Sequence, residues 1–409
     1  MSALTPWEDV LEQLVGRAAP LEGVDLPIRD ALGCAVAAEV VAPHDLPSFS
    51  NSSMDGYAVI ARDITDSTAT PLRIIGEIAA GTCPELTVRS GEAARIMTGA
   101  MMPAGADAVV PVERTSVHEE GGEPLLFFDA TAEPGQFVRV PGSDTRAGAR
   151  VLNQGDTVTP ARIGLLAALG IPTVTVHRRV RVGLCSTGDE LVPVGAPLAP
   201  GQIHDANGPM LSALLSEHNC ELIEFGIVSD DASAVDALLE KAMGTCDVLL
   251  TSGGVSMGDH DEMKFALSRR GVLEWHQIAI RPAKPLATAR LGELQVLALP
   301  GNPVSARVSF ELFAVPVIRA LGGHANEHRQ RIWAQTDSEW KRKPDGKVHL
   351  DRVTLEHTPG AIVAKRIGVQ ASHVMSGLSD ADALAFIPDG DGLAAHSPVE
   401  VIVLDRVLS

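Results

Sequence analysis

The chain has 409 residues, 45% of them hydrophobic and 21% charged, with 52 acidic against 33 basic side chains and a formal charge of −19. That length exceeds what one hydrophobic core usually organises, so several domains are expected, and a mean hydropathy of +0.14 excludes a disordered polyelectrolyte. The acid excess repels nucleic acid and anionic membrane surfaces, so an anionic ligand has to be gripped locally.

The five cysteines, Cys34, Cys83, Cys185, Cys220 and Cys246, are odd in number and contain no C-x-x-C pair. This argues against a disulfide scaffold or a structural zinc site and fits a reducing cytoplasm. The opening MSALTPWEDVLEQLV carries acids where an export signal needs a basic region. The apolar stretch over residues 164–176 is broken by Gly and Pro and falls short of the roughly 18 residues a membrane span requires. The sequence is therefore read as neither exported nor membrane-spanning.

In chain order, residues 7–17 place Val10, Leu11, Leu14 and Val15 on one side of an amphipathic helix with acids in its first turn. Residues 47–150 then change texture to brief β-type runs (LRIIGEI, AVVPVER, PLLFFDA, QFVRV) between Gly, Pro and Ser clusters, which predicts a mostly-β domain without long helices. A helix is expected over 159–169. From 180 to 321 strand-like and helix-like segments alternate: VRVGLC, GPMLSALLSEH, ELIEFGIV, ASAVDALLEKAM, DVLLTS, EMKFALSRR, VLEWHQIAI, VLALP and VSARVSFELFAVPVIRAL. This is the pattern of a parallel sheet wrapped by helices. Residues 333–409 return to short strands and predict a small terminal β domain.

Ligands of open α/β sheets bind beyond the carboxyl ends of the strands. The segments following the predicted strands are STGDEL, SDD, TSGGVSMGDHD, RPAKP and GNPVSAR, so glycine, hydroxyl, carboxylate and base converge on one rim. Gly253, Gly254 and Gly258 let backbone N–H groups approach an oxyanion, and a helix opening near Asp261 adds its positive end; Asp261 serves equally as the cap of that helix. Asp259 and Asp261 beside a phosphate cradle suit Mg²⁺, which takes one or two carboxylates plus phosphate oxygens and water. Asp189 and Glu190 read as rim acids or a polar turn, and Asp230 with Asp231 as rim acids or the cap of a helix over 232–243. Arg281 and Lys284 stand between prolines in a stiff loop, an anion clamp or a rigid turn with solvated charges. In LPGNPVSAR, Gly301 permits close backbone approach and Pro303 fits a first helical turn. His260 has no second histidine at ligand spacing and reads as a surface imidazole. The residues by themselves describe an enzyme that binds a phosphorylated small molecule with a divalent metal.

TSGGVSMGDHD, STGDEL, RPAKP and LPGNPVS, with SNSSMDGYAV (50–59) and RIMTGAMMPAGADAVVPVER (95–114), closely resemble the molybdopterin molybdenumtransferase family, which includes the C-terminal domain of gephyrin. The likeness runs in order along nearly the whole chain. It implies an enzyme that takes adenylylated molybdopterin and molybdate, releases AMP with Mg²⁺ and leaves molybdenum on the dithiolene sulfurs. It also implies four domains: a central doubly wound α/β domain (1–26 and 179–325), a linker domain (27–46 and 148–178), an inserted mostly-β domain (47–147) and a C-terminal β domain (326–409). The resemblance also implies a homodimer whose site is shared between subunits, and it admits a molybdopterin adenylyltransferase as a partner.

Carried over by motif, the resemblance implies that Asp55, Asp144, Glu190, Asp231 and Asp261 are catalytic acids and that Glu190, Asp259 and Asp261 hold the metal. Substrate binding falls on Thr187, Gly188 and Asp189; on Ser252, Gly253, Gly254, Ser256 and Gly258; on Arg281 and Lys284; and on Pro300, Gly301, Asn302, Pro303 and Ser305. Taken alone, Asp55 reads as an Asp-Gly turn, Asp144 as a turn acid and Tyr57 as packing. One motif departs from the family pattern, because K-P-G-K-P is replaced by RPAKP and a family lysine slightly earlier falls at Gln277. Arg281 presents a fork in place of a point charge and Ala283 lacks glycine's freedom. The resemblance leaves two other readings, a molybdopterin adenylyltransferase and a gephyrin-like binding scaffold.

Overall fold

The computed structural model describes residues 4–64, 70–129, 131–254, 262–326 and 328–404. They form two compact units, one of Met1–Ala38, Gln154–Thr159 and Thr173–Ser409, the other of Glu39–Asn153 and Pro160–Pro172.

The first unit is organised by a six-stranded sheet of β1 (Arg181–Thr187), β2 (Glu221–Val228), β3 (Val248–Ser252), β4 (Val272–Gln277), β5 (Pro285–Leu291) and β6 (Leu294–Leu299), in the order β2-β1-β3-β6-β5-β4. Alternation along the strands explains the layers. Val182, Leu184, Val248, Leu250, Leu297 and Leu299 enter one core, and Cys185, Leu249 and Val296 enter another on the opposite face, because successive side chains leave a strand on opposite sides. The first core is covered by α1 (Trp7–Val15) and α2 (Asn207–Glu217), together with the continuous helical run of α5 (Pro303–Ser309) and α6 (Val315–Leu321). The second is covered by α3 (Ala232–Thr245) and α4 (Glu262–Arg270).

Pairing among β2, β1, β3 and β6 is parallel, as the alternating pattern predicts. The expectation of a wholly parallel sheet is corrected at β5, which pairs antiparallel with both β6 and β4. Its sequence, PLATARL, is buried but rich in small residues, so it lacks the branched and aromatic signature of a strand. Between α5 and α6 the helix widens into a π-turn at Phe310–Ala314. Pro316, the second residue of α6, has no N–H to donate and its ring crowds the preceding turn, which a wider turn relieves.

The same unit carries a β-barrel of β7 (Arg331–Thr336), β8 (Val348–Thr358), β9 (Ala361–Arg366), β10 (Ala383–Ile387) and β11 (Pro398–Val403). Its order is β8-β9-β7-β11-β10, and β10 pairs back onto β8, so no edge is left open. Helix α1 links barrel and sheet. Trp7 lies 5.8 Å from Phe386, and the Arg331 guanidinium stands over both rings at 4.9 and 4.4 Å, a cation–π arrangement.

The second unit is built on a six-stranded sheet that runs, edge to edge, 108–111, 56–59, 92–96, 72–78, 123–128 and 115–120. Tyr57 is buried in its core. No helix among the described residues is long and apolar enough to cross a membrane.

Candidate active site

The carboxyl ends of β1, β3 and β6 open into one cavity of about 690 Å³. Strand β1 contributes Thr187, Gly188 and Glu190, β3 contributes Ser252, Gly253 and Gly254, and β6 contributes Pro300, Gly301, Asn302 and Pro303. Asp230, from the end of β2, lines the same wall. Three separated motifs thus meet because three parallel strands lie side by side.

The turn after β3 is fixed by main-chain bonding, the Gly253 N–H donating to Leu299 O at 3.0 Å. Gly253 and Gly254 have φ of 95° and 69°, the left-handed region that disfavours side chains. A Cβ on Gly253 would stand 2.5 Å from Thr187 O, so only glycine lets β1 and β3 approach here. Pro303 opens α5 at its first turn, as the missing N–H of proline favours, and the Val304 N–H donates to Ser372 O at 3.1 Å.

Several buried polar groups at this rim have no partner among the described residues. Thr187 Oγ1 and Asn207 Oδ1 on the wall of this cavity make no hydrogen bond, nor does Ser186 Oγ in a neighbouring cavity lined with Asp205 and Gly208, although the three residues are between 1% and 8% exposed. Such groups are costly to leave unsatisfied, and at a cavity wall they mark where ligand atoms belong.

Other predicted residues sit differently. The Asp189 carboxylate accepts from the Asp230 N–H at 3.4 Å, which ties the β1 and β2 loops together. Asp231 caps α3: its Oδ1 accepts from Ser233 Oγ (2.6 Å), Ser233 N (2.9 Å) and Ala234 N (3.1 Å), and its Oδ2 from Ser229 Oγ (2.9 Å). These bonds, led by the Ser233 hydroxyl, hold its pKa down at about 2. Ser305 is buried within the first turn of α5. Ser256, Gly258, Asp259, His260 and Asp261 lie outside the described residues.

Arg281 and Lys284 do not share one wall. Ile280–Arg281 forms a short strand parallel to Val348–His349 of the barrel, and Arg281 and Pro282 line a second cavity of about 510 Å³ with Lys341, Lys343 and Arg366 opposite. Arg366 pairs with Asp351, and Arg342 with Asp345 and Asp389, leaving Arg281 and Lys343 without ion pairs among the described residues. Ala283 adopts φ 73° while buried, so the backbone keeps a glycine-like conformation without glycine. Lys284 is exposed; its carbonyl accepts from the Ile278 N–H at 2.8 Å.

In the second unit Asp55 is exposed, and its Oδ1 accepts from Thr98 N (2.7 Å) and Thr98 Oγ1 (2.9 Å). The Thr98 N–H, then its hydroxyl, hold the carboxyl below the usual range. Two of the sequence motifs, SMDGY and IMTGA, are therefore joined directly. Gly56 is obligatory, because a Cβ there would lie 2.1 Å from Val110 O. Asp144 is exposed, its N–H donating to Leu46 O at 3.0 Å.

Sequence reasoning missed five residues, Asp205, Asn207, Arg352, Gln370 and His373. Asp205 and Asn207 both line the main cavity; the Asp205 Oδ1 accepts from the Gly208 N–H at 2.9 Å. Their signal was present in IHDANGP, a pair of short polar side chains at the start of a helix. Arg352, 1% exposed on β8, donates to the carbonyls of Val369, Ala371 and Val374. It thereby holds the loop that presents His373 to the main cavity and Gln370 to the second. An arginine inside the strand HLDRVTL was the available clue.

A three-layer α/β domain with glycine turns and unsatisfied hydroxyls at its strand ends, in a chain that also carries β-rich parts, is the build of a ligand-binding enzyme of the α/β class. The family models that match are the MoeA N-terminal region (domains I and II) over residues 5–170, a probable molybdopterin binding domain over 183–320, and the MoeA C-terminal region (domain IV) over 334–404. The chain is 38% identical over 400 residues to molybdopterin molybdenumtransferase 2 of Mycobacterium tuberculosis, covering 95% of this chain and 96% of that one. It is 36% identical over 368 residues to the molybdopterin molybdenumtransferase of Haemophilus influenzae, covering 90% and 89%. A crystal structure of a molybdopterin biosynthesis MoeA protein from Pyrococcus horikoshii aligns over 98% of this chain and 99% of that one, with a TM-score of 0.78 and 33% identity. The chain belongs to the molybdopterin molybdenumtransferase family, and is a transferase.

Proposed function

We propose that the cavity at the ends of β1, β3 and β6 binds adenylylated molybdopterin, and that molybdate delivers molybdenum to its dithiolene while AMP departs. The observation that carries this reading is the unsatisfied Thr187 hydroxyl beside the Gly188 and Gly253–Gly254 turns. Hydroxyl and main-chain N–H donors grouped around close-packed glycines form a cradle for phosphate oxygens. Cleavage of the diphosphate consumes one water and leaves one phosphate on each product. Dithiolene ligation removes one molybdate oxygen as water, taking both thiol protons.

Within this reading Glu190 orients the attacking water or takes its proton, and Gly188 and Gly253 admit the diphosphate. Asp55 and Asp144 are the further acids that the family motifs assign. Arg281, with Lys284 near it in sequence, gathers the molybdate dianion; a guanidinium fork suits a tetrahedral oxyanion.

The described residues contain no group of three or more His, Cys, Asp or Glu that could hold a metal. Glu190 and Asp230 on the cavity wall nevertheless suit Mg²⁺, which is commonly held by one or two carboxylates together with substrate phosphates. Glu190, with Asp259 and Asp261 of the same rim motifs, would hold it. Bound there, Mg²⁺ would neutralise diphosphate charge and polarise the phosphorus centre. The reading extends to a cytoplasmic homodimer that receives its substrate from a molybdopterin adenylyltransferase; sedimentation of the purified protein checks the dimer.

The test mixes purified protein with adenylylated molybdopterin, Mg²⁺ and molybdate or tungstate, following nucleotide release and metal retention together. AMP release coupled to metal retention supports the reading. Release of neither, or adenylyl transfer from ATP in its place, overturns it.

A further inference from the structure

Asn207 does two things at the first residue of α2. Its Nδ2 donates to Ser252 Oγ and to Gly301 O, both at 2.7 Å, so one amide nitrogen ties the end of β3 to the loop after β6. Its Oδ1 has no partner among the described residues, although the residue is 8% exposed and lines the main cavity. Turning the amide over would not satisfy it, because Oδ1 would then face the Gly301 carbonyl, acceptor against acceptor. The hydrogen bonds thus fix which atom is left over, and it is an acceptor. Phosphate oxygens and molybdate are acceptors too and cannot satisfy it. What can is a hydrogen-bond donor, and N–H groups are the donors that the ring systems of such a substrate present.

We propose that Asn207 is a specificity-determining residue: its nitrogen sets the spacing of the two phosphate-facing segments, and its oxygen takes an N–H of the substrate's nitrogen heterocycle. The inference rests on the reading of this cavity as the substrate site. It adds that the ring system is recognised at the start of α2, beside the phosphates. Both ends of the substrate carry such a donor, the amine of adenine and the amino-pyrimidinone of the pterin, and paired probes distinguish them.

The experiment is calorimetric binding to the full chain of AMP against purine ribonucleoside monophosphate, which lacks the amine, and of a pterin phosphate against its 2-desamino analogue. In the unaltered protein one pair is expected to show a preference of roughly tenfold or more for the amine-bearing member, the size of one hydrogen bond lost at a buried acceptor. Asn207→Ala should abolish that preference, and Asn207→Asp, which retains an acceptor oxygen, should keep part of it. A merely structural role would weaken both members of each pair equally. Binding of both members without preference in the unaltered protein overturns the inference while leaving the functional reading intact, and so does a preference that survives in Asn207→Ala. If neither AMP nor the pterin phosphate binds, both fall. The unaltered protein alone suffices for the first outcome, so a variant that fails to fold does not protect the idea.

Discussion

The rim of the α/β sheet and the cleft at Arg281 both gather polar groups around a cavity, but they are assembled from different distances. At the rim, each loop is delivered by its own strand, and β1, β3 and β6 lie side by side in parallel register. At the cleft, Arg281 faces Lys341, Lys343 and Arg366, which follow it by 60 residues or more; Arg366 ends barrel strand β9, and Lys341 and Lys343 lie on the segment between β7 and β8. The rim is set by local sequence plus sheet order. The cleft exists only because Ile280–Arg281 pairs with Val348–His349. A strand-end site tolerates variation elsewhere in the molecule; a cleft shared between two sheets is sensitive to each.

Substitutions sharpen this contrast. Glu190→Gln removes a carboxylate from the rim and should slow AMP release by roughly 100-fold or more, with modest change in nucleotide affinity. Unaltered single-turnover release would take Glu190 out of the chemistry. Gly253→Ala forces a Cβ to within 2.5 Å of Thr187 O at a φ of 95°; it should cost about 2 kcal/mol or more in denaturant unfolding and weaken nucleotide binding as well. A variant as stable as its parent would mean that the turn relaxes freely.

The cleft should respond separately. Arg281→Ala is expected to raise the molybdate concentration for half-maximal turnover about tenfold and to leave AMP binding unchanged, with Arg281→Lys recovering only part of the loss. Equal effects on both ligands would merge the two regions into one.

The smallest effect concerns Asp231, whose carboxylate caps α3. Its folded pKa of about 2 lies below the ordinary aspartate value of 3.8, so its stabilisation is fully present above about pH 4 and is lost as pH falls through about 2. Asp231→Ala should therefore unfold more readily than the parent at neutral pH, with the gap between the two closing on acidification between pH 4 and 2. A gap independent of pH over that window would show that the capping bonds are not made by the carboxylate.

What could be read from the sequence follows the same division. Val182, Leu184, Val248, Leu250, Leu297 and Leu299 announce strands, and the glycine and hydroxyl segments after them announce the rim, because period-two burial and turn chemistry are local. Strand β5 escaped notice because PLATARL shows no period-two alternation and places Ala287 and Ala289 at its buried centre. Asn207 escaped because its importance depends on Ser252 and Gly301, 45 and 94 residues away, which no local pattern encodes. Arg352 escaped for a related reason: its partners are carbonyls of a loop at 369–374, and carbonyls leave no trace in residue identity. The two roles open to Asp231 were visible from sequence, and only the hydrogen bonds show the carboxylate engaged as a cap.

The most direct measurement is a crystal structure of the protein soaked with AMP. Phosphate density against the Gly253–Gly254 and Gly301–Asn302 backbone, with Thr187 Oγ1 in hydrogen-bonding range, is the predicted result. Nucleotide seated in the cleft at Arg281 instead, with the strand-end cavity filled by solvent, would contradict the placement on which the proposed chemistry depends.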